Sequence, residues 1–94
     1  MTEDQKAALV EKLETKAAEY AGTPQKGLAA GYRPEQVQGW GAAAVGQPRE
    51  RINMRSLYEA WLYGVARKDM PPGIDWQIGR AVGEGPGSAF LIIK

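Results

Sequence analysis

The sequence predicts an α+β fold that is mainly α: a compact bundle of three to four helices followed by a C-terminal β-hairpin. Three observations predict it. Apolar residues recur at helical spacing up to residue 68, the chain then switches to strand-like alternation, and links rich in glycine and proline separate the periodic segments. With 94 residues, 44% hydrophobic and 24% charged, the chain reads as one globular domain spanning residues 1–94.

The first helix is expected over residues 3–21. Thr2 and Gln5 form a capping-box pattern, and Glu3 and Asp4 suit the positive end of a helix dipole. Leu9, Leu13, Ala17 and Tyr20 make one stripe, widened by Val10 and Ala21, and Gly22 is the expected stop. A short helix follows over 24–30, with Thr23 at the N-cap position, Pro24 in the first turn and Gly31 beyond the end. A third helix is expected over 34–45, opened by Pro34, with Val37, Trp40 and Ala44 on one face.

The fourth helix is expected over 54–68, capped by Asn53 and closed by Arg67 and Lys68 at its negative end. Met54, Leu57, Tyr58, Trp61, Leu62 and Val65 cover an arc of about 140°. Tyr63 stands outside that arc, within one turn of Glu59 and Arg67. Pro71 and Pro72 prevent continuation. Two strands close the chain, one over 74–82 and an apolar one over 89–93, joined by Gly83–Ser88. Leu13, Trp40, Leu57, Trp61, Ile78 and Ile92 are the expected core.

Composition excludes whole classes of chemistry. Without cysteine there is no disulfide and no thiolate metal site, and without histidine the commonest general base and metal ligand are missing. The carboxylates Glu35, Glu50, Glu59, Asp69, Asp75 and Glu84 are scattered one per element or link. No catalytic, cofactor or metal site is expected. No stretch reaches the roughly 18 apolar residues of a membrane span, nor does an apolar leader open the chain, so a cytoplasmic protein without membrane contact is expected.

The glycine-rich segment Gly83–Ser88 raises the question of phosphate binding. With Ile78, Gly79, Gly83, Gly85 and Gly87 it resembles the glycine-rich loop of protein kinases, but Gly87 comes one position early and too little chain follows for that family's lysine strand and catalytic loop. It contains no lysine and runs into a strand instead of a helix, so the expected role is a hairpin turn.

Charge is mildly asymmetric. Residues 1–20 hold five acids and three bases, whereas the rest holds nine bases and six acids. That excess is small for a nucleic-acid module. The expected function is therefore a non-enzymatic protein-interaction module, such as an accessory subunit, adaptor or inhibitor of a larger assembly, of the phage or plasmid type among others. Its partner contacts are expected at Tyr63, Arg67, Glu59 and Arg55, and a homo-oligomer is compatible with the same surface. The alternative is nucleic acid. The order of elements over 34–94 resembles the winged helix-turn-helix fold of DNA-binding proteins, which implies a recognition helix at 54–68, a wing at the hairpin tip, and contacts from Arg49, Arg51, Arg55, Arg67, Lys68 and Arg80.

Overall fold

The computed structural model describes residues 1–34, 37, 54–81 and 88–94, without the side chains of 54–56. Among these residues it holds three helices and a two-stranded antiparallel sheet: α1 (Glu3–Gly22), α2 (Pro24–Ala29), α3 (Met54–Asp69), β1 (Trp76–Arg80) and β2 (Ala89–Ile93). Most of the helix expected over 34–45, including Trp40, lies outside the described residues. Only its entry is seen, where the Val37 N–H donates to the Arg33 carbonyl at 3.1 Å.

The start of α1 is the expected capping box. The Gln5 N–H donates to Thr2 Oγ1 at 3.1 Å, and the Thr2 N–H donates to Gln5 Oε1 at 2.9 Å. Its end differs from expectation. Gly22 is the last helical residue and does not take a positive φ, so it does not act as a left-handed stop; Thr23 breaks the helix with a non-helical backbone, φ −140° and ψ 81°. Thr23 also precedes α2 but makes no side-chain capping bond there. The glycine that does use its freedom is Gly31, at φ 101°. Its N–H donates to Leu28 O and that of Tyr32 to Gly27 O, both at 3.1 Å, which is the Schellman closure of a helix.

α3 is the central element. Tyr58, Trp61, Leu62 and Val65 are buried as expected, but so are Ala60, Gly64 and Ala66. These small residues widen the buried face well beyond the apolar arc. α1 packs along α3 with Leu13, Ala17, Tyr20 and Ala21. Tyr20, Tyr32 and Trp61 form an edge-to-face triangle with centroids 5.4–5.7 Å apart. Each such ring pair adds about 0.5–1.5 kcal/mol to simple burial. Trp61 sets the outer edge of its indole against Gly27 of α2, where a side chain would collide with the ring.

The hairpin register pairs Trp76 with Ile93, Ile78 with Leu91 and Arg80 with Ala89 on one face. Gln77, Gly79, Phe90 and Ile92 share the other. β2 seats on α1 and α3 through buried Ala89 and Leu91, while β1 hangs beside it. Strand β1 is shorter than the expected 74–82, although the Lys94 N–H to Asp75 O bond at 2.9 Å continues the ladder one rung past its first residue.

Three members of the expected core are only half-buried, and the topology explains them. Ile92 points to the face of a two-stranded sheet that no helix covers among the described residues. Ile78 packs against the core from the less closely seated strand, and Leu57 flanks the buried face of α3. Leu13 and Trp61 are fully buried, as expected.

Candidate interaction surface

At 100° per residue, Glu59, Tyr63 and Arg67 fall in one stripe along α3, opposite the face that packs on α1. The helix exposes this stripe because its other sides are occupied by α1, α2 and β2. Tyr63 is 48% exposed, an unusual position for a large aromatic side chain. It is held from both sides. The Trp76 ring of β1 tilts against it at 5.9 Å, and the Arg67 guanidinium carbon sits 5.9 Å from its centroid. One turn earlier, Glu59 Oε1 accepts two hydrogen bonds from Arg80, from Nε at 3.0 Å and Nη2 at 2.8 Å.

α3 thus runs antiparallel to β1, with Glu59 beside Arg80 and Tyr63 beside Trp76. The result is an exposed ledge: an ion pair at one end, an aromatic pair in the middle and the Arg67 cation at the other. Of the expected partner residues, the structure brings Tyr63, Arg67 and Glu59 together and adds Trp76 and Arg80. The backbone of Arg55 belongs to the first turn of α3, and its side chain lies outside the described residues.

The described cations of the nucleic-acid alternative, Arg67, Lys68 and Arg80, do not form one face. Lys68 turns to the opposite side, donating to the Ala30 carbonyl at 2.9 Å with its ammonium 4.3 Å over the Tyr32 ring. It ties the end of α3 to the end of α2, where a cation meets the negative pole of both helices. Arg80 is bound to Glu59. Arg49 and Arg51 lie outside the described residues, as does the hairpin connection apart from its buried last residue, Ser88.

Sequence reasoning missed the part of Trp76. Alternation marks it as a core-facing strand residue, and it does face the helices. Its place at the open end of β1, however, puts it against the exposed side of α3 and leaves it half-buried. The missing signal was the register, which no pattern local to the two strands specifies. Arg80 was legible as a break in the apolar face, and its partner Glu59 was not, because 21 residues separate them.

Elsewhere the polar groups are structural. Lys16 binds Asp69 at 2.8 Å, joining α1 to the end of α3. The Leu91 N–H donates to Glu14 Oε2 at 3.3 Å, and burial pushes the Glu14 carboxyl above the ordinary glutamate range against the opposing effect of that bond. A shallow depression of about 450 Å³ on α1, lined in part by Ala8, Lys12 and Glu19, mixes both charges and encloses nothing. Among the described residues there is no cluster of three or more potential metal ligands, and no helix long and apolar enough to cross a membrane. Set against known proteins, the chain matches no family model, no curated protein and no solved structure.

Proposed function

We propose that this protein is a small non-enzymatic interaction module of the cytoplasm, serving a larger assembly as an accessory subunit, adaptor or inhibitor. The observation that carries this reading is the ledge formed by Tyr63, Trp76 and Arg67. A half-exposed tyrosine, braced by a second aromatic and topped by an arginine, has the composition of residues that dominate protein–protein binding energy. The tyrosine is also braced by Trp76 and Arg67 on a helix packed along its other sides, so little ordering cost attends binding. Protein is favoured over nucleic acid because two of the candidate phosphate contacts, Lys68 and Arg80, are already engaged within the fold.

The test is capture by immobilised protein from native lysate, with and without nuclease, using the parent and Tyr63→Ala. Nuclease-resistant capture that Tyr63→Ala weakens at least tenfold, with helical content unchanged, is the expected result. Capture abolished by nuclease would replace the reading with nucleic-acid binding.

A further inference from the structure

Lys94–Asp75 and Ala81–Ser88 are hydrogen-bonded rungs of the hairpin. Antiparallel rungs alternate, so Gln77–Ile92 and Gly79–Phe90 are the bonded pairs between them, and Trp76, Ile78 and Arg80 send their N–H and C=O groups away from β2. The same alternation turns the Leu91 N–H to the far side of β2, where Glu14 accepts it. Among the described residues β1 has no such cover. Its outward backbone groups bond to nothing outside the hairpin among the described residues. Nor does the edge carry the usual guards against pairing: WQIGR contains no proline and no lysine, and its one charge is held by Glu59.

We propose that β1 pairs antiparallel with β1 of a second copy of this chain, about a two-fold axis at Ile78, forming a four-stranded sheet in the order β2–β1–β1–β2. This rests on the interaction reading above and names its partner. Charge layout selects the occupant and the direction. The ledge beside β1 ends in the Glu59–Arg80 ion pair on one side and in a second cation, Arg67, beyond the Trp76 end. Arg67 pairs with no carboxylate among the described residues. A two-fold axis reverses one copy, so the Glu59–Arg80 pair of each meets the Tyr63–Trp76–Arg67 end of the other. Parallel pairing would instead set like ends side by side. With Ile78 facing its own counterpart, Arg80 lies across from Trp76 of the second copy, a cation–π arrangement made twice. Such a self-complementary patch is what a closed two-fold dimer requires.

Sedimentation equilibrium of the full chain from micromolar to millimolar concentration is the first measurement, and a species of twice the monomer mass is expected. Ile78→Pro removes an outward N–H while leaving the hairpin rungs untouched. It should give a monomer of unchanged helical circular dichroism, whereas Ile78→Ala, which keeps the N–H, should remain dimeric. Because the chain has no cysteine, Gln77→Cys supplies a check that does not depend on the proline variant folding. Residue 77 lies near the axis on the uncovered face, so a short bismaleimide should cross-link this variant to a dimer and should fail with Lys12→Cys on α1. A parent that stays monomeric throughout overturns the self-pairing. If Tyr63-dependent capture of another protein survives that result, the interaction reading stands with a different occupant. A dimer that a folded Ile78→Pro variant preserves, with no cross-link at residue 77, also overturns it.

Discussion

Gly27 and Gly22 are both helical glycines, and the residues around them give them opposite fates. In an ordinary helix, replacing glycine by alanine gains up to about 1 kcal/mol through propensity. At Gly22 nothing lies within 4 Å of a new Cβ, so Gly22→Ala should hold or raise the melting temperature. At Gly27 the new atom would fall against Trp61, which is fully buried and has no space to yield. Overpacking of that kind costs about 1–3 kcal/mol and outweighs the propensity gain. Gly27→Ala should therefore lower the melting temperature, by about 4–8 °C for each net kcal/mol in a domain this small. Trp61→Ala removes the ring that Tyr20, Tyr32 and Gly27 share, and should cost about 3–5 kcal/mol by chemical denaturation. Equal melting of the two glycine variants would contradict this packing. That Trp61 is core was legible from the periodicity of residues 54–68. That Gly27 is its partner was not, because no local pattern links a glycine to a ring 34 residues away.

Elements whose signals are local were the ones legible in the sequence. Caps, prolines and periodicity place α1, α2 and α3 within a residue of their observed bounds, and the apolar run gives β2 in full. What stays hidden is how elements meet, since docking is decided by pairs such as Glu14 and Leu91, remote in sequence. Glu14 looks like solvated charge on the polar face of α1, yet it closes the outer edge of β2. Its raised pKa means that the folded state disfavours the carboxylate, so the penalty is present at neutral pH and is relieved as pH falls through the raised value. Glu14→Gln keeps an acceptor for the Leu91 N–H without the charge. It should melt at or above the parent temperature at pH 7, and that margin should shrink as acid protonates Glu14 in the parent. Glu14→Ala leaves the N–H without its partner and should lose about 1 kcal/mol or more. Melting curves of the three proteins between neutral and acid pH decide the matter, and a margin that widens with acid would reverse the sign assigned to Glu14.

At the scale of the whole molecule, the contacts of α3 share a sensitivity to alkali. Lys16 has its pKa raised, first by its hydrogen bond to Asp69, and this pair fastens α1 to the end of α3. Burial raises Tyr32, which sits between α2 and α3, with Asp69 adding to the effect. Burial also raises Tyr58 on α3 itself, and the Glu14 charge adds to it. For all three groups the folded chain holds its proton to higher pH than the unfolded chain. The stability they contribute is complete below the ordinary lysine and tyrosine range, near pH 10, and is lost as pH rises through the folded values. Because each group lies at a contact of the central helix, their losses fall on one cooperative unit. The melting temperature should be nearly flat from pH 7 to about 9 and then fall steeply above about 10. Tyr58→Phe removes one of the three ionisations and should make that fall shallower while leaving the neutral plateau close to the parent. Thermal melts followed by far-ultraviolet circular dichroism across this range check both statements. A plateau that continues past pH 11 would mean that these groups ionise alike in the folded and unfolded chain, and that the joints of α3 are held by apolar packing alone.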